Sequence, residues 1–314
     1  MKRRLAIRNM LMTAAACLLP ELKGQEHAPP SQDFVIHSDV RLVLLDVSVK
    51  NPDGSFVGGL SQSNFEVFEN NVRQTVSTFS NTDLPFTVGI LVDESRSMAP
   101  KRNDVLAAAG LFIAESNPHD EIFVLNFNDT VKRGLPPGVL FSDDMTQLRA
   151  ALGRARPQGM TALNDAVVEG LQQLDLGRRE KKGLIVVSDG GDNASQYTRQ
   201  KMLDMVERSI ATIYTIGLFE AGDPDRDPGI LKRLAKVSGG VASFPSNAAQ
   251  MPDVCRAIAR DMRTRYTIGY VPSARNGGPL RHIRVHVSAT GHPKLMTLSR
   301  TTYRYDETKD QAHK

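Results

Sequence analysis

In Asp93-Glu94-Ser95-Arg96-Ser97 a carboxylate and two hydroxyls stand at alternate positions, directly after the apolar run Thr87-Val88-Gly89-Ile90-Leu91-Val92. In a tight loop, Asp93, Ser95 and Ser97 can point three oxygens into one crevice, and crowded oxygen ligands suit a hard divalent cation such as Mg²⁺. Two further stretches offer the same kind of atom. Gln158-Gly159-Met160-Thr161-Ala162-Leu163-Asn164-Asp165 presents Thr161 at a helix start, and Ser188-Asp189-Gly190-Gly191-Asp192-Asn193 presents Asp189. Each stretch also has a purely structural reading. Ser and Asp are good helix N-caps, Thr161 alone would be an N-cap, and Asp189 alone would be a turn former beside Gly190 and Gly191.

Strands must deliver these loops. Thr87 to Val92 reads as a buried parallel strand, and open α/β sheets bind ligands at the carboxyl ends of such strands. Further strands are expected at Glu121 to Phe127, Lys182 to Ser188, Thr212 to Leu218 and Val241 to Phe244. Helical spacing is expected at 101–116, 143–155, 162–175, 199–210 and 228–237, the last stopped by Gly239-Gly240, and at 248–264. Alternation of this kind specifies an α/β fold: a doubly wound, mainly parallel sheet with helices on both faces.

On either side of this block the grammar is β. Leu45 to Lys50, Phe65 to Phe68 and Val72 to Phe79 alternate with period two, as do Tyr266 to Tyr270 and Ile283 to Val287. The expected organisation is a signal peptide at 1–24, a flexible lead-in at 25–34 and an N-terminal β segment at 35–83. The α/β block follows at 84–262, then a C-terminal β segment at 263–306 and a disordered tail at 307–314. Because chain termini of a domain commonly lie close together, the simplest packing pairs the flanks into one antiparallel β unit with the α/β block inserted between them.

The composition is that of an ordinary globular chain, with 40% hydrophobic and 24% charged residues. Its net charge of +4 is spread through the leader and scattered pairs such as Arg178-Arg179, which makes no nucleic-acid footprint. The opening MKRRLAIRNMLMTAAACLLPELKGQ has a basic start and an apolar core too short to span a bilayer, so it reads as a secretory leader cleaved near Gly24. The expected location is periplasm, cell surface or medium. An uncleaved leader or a lipidated Cys17 is the alternative route to a membrane. Beyond the leader only Cys255 remains, which leaves no intramolecular disulfide and suits a small buried hydrophobe.

Taken together, the D-x-S-x-S after a buried strand, the G-x-T-A-L helix start and the apolar strand closing in S-D-G resemble the von Willebrand factor type A domain with its metal-ion-dependent adhesion site, over about 84–262. The resemblance implies that Ser95, Ser97 and Thr161 place hydroxyls on a cation, while Asp93 and Asp189 bind it directly or through water. Mg²⁺ is the implied ion, with Mn²⁺ or Ca²⁺ as alternatives. It also implies a protein or peptide partner whose acidic side chain completes the coordination. Neutral hydroxyls leave much of the 2+ charge uncompensated, which keeps the ion electrophilic toward such a group. Glu94 stands where a small residue is usual, and its charge is expected to tighten the metal yet repel an acidic ligand. Asp192 is the other candidate for a supporting role. The segments Val57-Gly58-Gly59-Leu60, Asn64 to Asn70 and Tyr266-Thr267-Ile268-Gly269-Tyr270 resemble a bacterial, best known acidobacterial, group of exported type A domain proteins.

Asp120 and Asp165 read as structural acids, the second in a helix's first turn where the dipole favours it. His282 and His286 share one strand face with Arg284 between them, and solvent exposure is a better account of them than metal binding. Three functions are in contention: a metal-dependent binding module; an envelope-assembly component with no metal-dependent ligand; and a phosphoryl-transfer hydrolase with a strand-end Asp nucleophile. The last is disfavoured because Ser95 stands where haloacid-dehalogenase-like enzymes need a second acid. No P-loop, GxSxG or HExxH motif is present either.

Overall fold

A computed structural model describes residues 42–154, 156–219, 226–272, 278–292 and 294–305. The leader with Cys17, the lead-in, the start of the first β segment and the tail expected at 307–314 lie outside the described residues.

Within them the strands are β1 (Val43–Lys50), β2 (Phe65–Glu69), β3 (Val72–Gln74), β4 (Val76–Ser80), β5 (Phe86–Asp93), β6 (Glu121–Phe127), β7 (Val131–Arg133), β8 (Lys181–Ser188), β9 (Thr212–Gly217), β10 (Ala242–Ser243), β11 (Tyr266–Tyr270), β12 (Leu280–Val287), β13 (Met296–Leu298) and β14 (Thr302–Arg304). The α-helices are α1 (Arg102–Glu115), α2 (Met145–Leu152), α3 (Leu163–Asp175), α4 (Arg199–Arg208), α5 (Pro228–Ser238) and α6 (Met251–Arg263).

A six-stranded sheet runs β10-β9-β8-β5-β6-β7, parallel throughout except for the edge strand β7. Every residue of β5 is buried, as its continuous apolar run requires of a strand covered on both faces. Helix α3 lies on the face shown by Leu91, where Gly170 approaches that side chain; α6 lies on the opposite face, with Met262 against Gly183. Gly89 is there because the ring of Phe123 and the tip of Leu184 occupy the volume a Cβ would need, at 2.3 and 2.6 Å. The chain starts the sheet at β5, adds β6 on one side and returns with β8 on the other. The order therefore reverses between β5 and β8, and their carboxyl ends frame the crevice where such sheets bind ligands.

Strands from the two β flanks share sheets. One sheet runs β13-β1-β11-β4 and the other β14-β12-β2-β3, so the first segment does not form a β unit by itself. Val72 to Phe79 reads as one alternating strand, yet it breaks at Thr75: β3 pairs β2, and β4 pairs β11 in the other sheet. Between the sheets lies a second apolar core that includes Val47, Phe65, Val67, Tyr266, Ile268 and Val285. Inside it Glu69 accepts hydrogen bonds from Tyr270 (2.8 Å) and Tyr303 (2.7 Å) and pairs with Arg281 at 3.3 Å, so the buried charge is compensated.

The β strands are fastened to the α/β sheet through α6. Asp261 accepts from Ser48 of β1 (2.7 Å), Tyr214 of β9 (2.8 Å) and Arg265 (2.9 Å), with Lys50 at 3.5 Å. Arg304 of β14 also pairs with Asp204 and Glu207 of α4.

Candidate functional site

Register sets the first two ligands side by side. Val92 of β5 pairs with Val187 of β8, so Asp93 and Ser188 leave the sheet as neighbours. The Ser188 hydroxyl donates to Asp93 Oδ2 at 2.6 Å, and the Ser95 amide donates to Oδ1 at 2.8 Å. With both oxygens engaged and 2% of its surface exposed, Asp93 is fixed in place. Its carboxyl is raised to about 7: burial is the largest cause, opposed by the Ser188 and Ser95 contacts and aided by the charge of Asp189.

Ser97 closes the gap between two loops. Its hydroxyl donates to Asp189 Oδ2 at 2.5 Å and lies 3.1 Å from the Ser95 hydroxyl. The other Asp189 oxygen accepts from the Gly191 amide at 3.0 Å, which is the turn-forming role its neighbours suggest. Asp189 thus does both: one oxygen shapes the turn and the other faces the Ser97 loop.

Thr161 is brought alongside by backbone bonds. The Gln158 amide donates to Glu94 O at 2.9 Å, and the Arg96 amide to Gly159 O at 3.3 Å, so the second loop is laced to the first. The Thr161 amide donates to Asn193 Oδ1 at 2.8 Å, while the amides of Asn193 and Ala194 donate to Thr161 O at 2.9 and 3.0 Å, lacing it to the third.

Helix capping does not account for the hydroxyls. Ser95 precedes a 3₁₀ turn at Arg96–Lys101, yet its side chain makes no capping bond. The residue capping α3 is Ala162, one position after Thr161, and among the described residues the Thr161 hydroxyl makes no hydrogen bond. By contrast Asp144, Thr198 and Asp227 do cap α2, α4 and α5 through their side-chain oxygens.

Glu94 is buried, and its carboxylate lies 3.5 Å from Arg102. Burial nonetheless raises its carboxyl, the Arg102 charge offsetting that only in part. Asp192 accepts from Ser195 (2.5 Å) and from the Asn164 side chain (2.5 Å), which shapes the third loop against the start of α3. Asp165 holds the amides of Gln196 and Tyr197, and Asp120 holds those of Phe86 and Asn117, so both serve structure. His282 and His286 are exposed on β12. Cys255 is buried in α6, where burial pushes its thiol up to about 11. Ser188, Asn193 and Asp129, which accepts from the Met160 amide, are the positioning residues that sequence reasoning missed. Their only signal was local, an Asx or Ser residue beside a turn.

Gly190 sits at φ +86°, and a Cβ there would lie 2.3 Å from the carbonyl oxygen of Asp227. Gly190→Ala is expected to cost about 1–2 kcal/mol from the left-handed backbone alone, seen as a lowered thermal midpoint. An unchanged midpoint would mean that the loop can shift freely.

Among the described residues no three His, Cys, Asp or Glu side chains converge on one point. The loops instead present two carboxylates and three hydroxyls, an all-oxygen set that fits a hard cation.

Residues 88–191 match the family model of the von Willebrand factor type A domain. The fold is similar to that of a von Willebrand factor type A protein from Catenulispora acidiphila, with TM-score 0.50 and 16% identity, covering 84% of this chain and 75% of that one. It is also similar to proximal thread matrix protein 1 from the mussel byssus, with TM-score 0.50 and 13% identity over 67% of this chain. That match spans 51% of the byssus protein, about half its length. At these identities the likeness concerns the fold. No curated protein matches the chain in sequence.

Proposed function

We propose that this chain, which carries a von Willebrand factor type A domain, is a non-catalytic, exported binding module. Asp93, Ser95, Ser97, Thr161 and Asp189 would hold a divalent cation, Mg²⁺ by donor chemistry, at the carboxyl edge of the sheet. When bound, the cation supplies a Lewis-acidic position for an acidic side chain of a protein or peptide partner. The observation that carries this reading is the 2.5 Å contact between Ser97 and Asp189 across the switch point, with Thr161, whose hydroxyl makes no hydrogen bond among the described residues, on the loop laced to both.

Phosphoryl transfer is disfavoured by residue type: Ser95 stands where haloacid-dehalogenase-like enzymes need a second acid. Export is supported by the leader pattern; among the described residues no helix is long and apolar enough to cross a membrane.

Isothermal titration of chelator-treated protein with Mg²⁺ or Mn²⁺ tests the reading. One saturable site is expected, and Thr161→Val should weaken it without lowering the metal-free melting temperature, since that hydroxyl makes no hydrogen bond among the described residues. Heat of binding untouched by both Thr161→Val and Ser97→Ala would remove the cation from this crevice.

A further inference from the structure

We propose a second binding site, separate from the metal crevice: the groove between α5, β10, β12 and β13 takes a small organic anion with an apolar chain, its anionic head at Lys232 and Lys236. The groove holds about 560 Å³, within the roughly 300–1,000 Å³ of small-molecule sites. It lies on the seam where the α/β sheet meets the β strands of the flanks, a place such sites prefer. None of the residues assigned to the cation lines it.

Four residues of α5 line the groove, and Lys232, Ala235, Lys236 and Gly239 have the spacing of one helical stripe. Ala235 and Gly239 are small, which leaves the room. Val241 and Ala242 at the sheet's edge and Leu298 of β13 stand half-buried along it, with Ile283 and Val285 of β12 on the β side, so an apolar chain has apolar walls to meet. Those walls are held in place by the fold itself. A Cβ on Gly239 would lie 2.3 Å from the Arg300 amide nitrogen, so the backbone of Ser299 and Arg300 seats directly on the end of α5. The Arg300 guanidinium donates to Ser209 O, and Thr297 Oγ1 donates to Val285 O at 3.1 Å. A pre-formed groove spares its ligand the cost of ordering it.

The charge balance of the groove favours an anion. Segments 228–250 and 280–305, which supply the whole lining, contain no Asp or Glu. Carboxylates reach this region only from other elements, and each stands against a cation outside the lining. Asp227 pairs with Arg199, Glu66 with Arg73 and Glu69 with Arg281, while Asp204 and Glu207 of α4 face Arg304, with the buried Arg300 close to Glu207. Lys232, Lys236 and Arg284 are left as excess positive charge among the lining residues. Lys232 lies 5.4 Å from the centre of the Phe244 ring, a contact that positions the ammonium without neutralising it. The two lysines, one turn apart and exposed, therefore draw an anionic head to the helix side of the groove.

Titration calorimetry of the whole protein with decanoate, in EDTA and below the micellar concentration, tests the proposal. One saturable site is expected. Acetate, which has the head without the chain, and decyltrimethylammonium, which has the chain without the anion, should give no saturable heat. The double variant Lys232→Glu/Lys236→Glu should bind decanoate about tenfold more weakly or not at all. Arg233→Glu, a charge reversal on the same helix outside the lining, should leave the affinity unchanged. All three positions are exposed, so each variant should melt with the unaltered protein. Absence of saturable decanoate heat overturns the site, as does acetate or the decyl cation binding as well as decanoate. Unweakened binding by the double variant, or an equal loss in Arg233→Glu, overturns the placing of the head at Lys232 and Lys236. EDTA is present throughout, so none of these outcomes touches the metal-site reading.

Discussion

Asp261→Ala is expected to lower the unfolding free energy by about 3–5 kcal/mol, read as a fall in the urea midpoint at neutral pH. The carboxylate is buried between α6, β1 and β9, where Ser48, Tyr214 and Arg265 all donate to it and Lys50 lies within 3.5 Å. Arg265 is itself fully buried; without Asp261 it keeps the carbonyl of Asp46 at 3.2 Å and the face of the Tyr214 ring, 5.5 Å away, neither of which carries a full negative charge. An uncompensated guanidinium is thereby stranded in the interior, and that penalty, more than the lost contacts, sets the size of the effect. Burial alone would raise the Asp261 carboxyl, but the charges of Arg265 and Lys50 and the Ser48 hydroxyl outweigh it, and the group lies below the usual range. Its contribution is therefore fully present above the unfolded value of about 3.9 and is lost as pH falls through the lower folded value. The gap between the native chain and the variant should narrow only in acid, below about pH 4. An unfolding free energy that falls by less than about 1 kcal/mol would show that water enters and solvates Arg265.

Asp189→Asn should change sign with the medium. In the metal-free protein Asp189 adds repulsion to a crevice that already holds Asp93, whose carboxyl it pushes upward. Removing one charge relieves that repulsion. The asparagine can keep both bonds, its oxygen accepting from Gly191 and its amide donating to Ser97. Without Mg²⁺ the variant should therefore melt no lower than the native chain. At a Mg²⁺ concentration of about 100 times the dissociation constant, the native chain gains about 2.7 kcal/mol by linkage, and the variant should gain little or nothing. Differential scanning calorimetry with and without Mg²⁺ reads both halves. Equal gains by the two proteins would exclude Asp189 as a ligand.

Much of the candidate site was legible because its parts are local. A buried parallel strand must be apolar along its length, so the abrupt Asp93 after Val92 and Ser188-Asp189 after Val187 marked strand ends without any knowledge of what lay beside them. Local pattern also exposed the helical spacing of α1 and α3 and the outward faces of His282 and His286. The edge strands β7, β13 and β14 were invisible, since three residues carry too little periodicity to register. The break at Thr75, which sends β3 and β4 to different sheets, has no signature in an unbroken alternation.

The sequence by itself determined the α/β grammar, the β flanks and which oxygens are available, because hydrophobic period and residue chemistry are properties of neighbours along the chain. Only the tertiary structure decided that β1 pairs with β11 across more than 200 positions, that Glu94 faces Arg102, and that Ser188 and Asn193 hold Asp93 and Thr161 in place. Those outcomes depend on strand order and on partners distant in the chain, which is information that residue spacing does not carry.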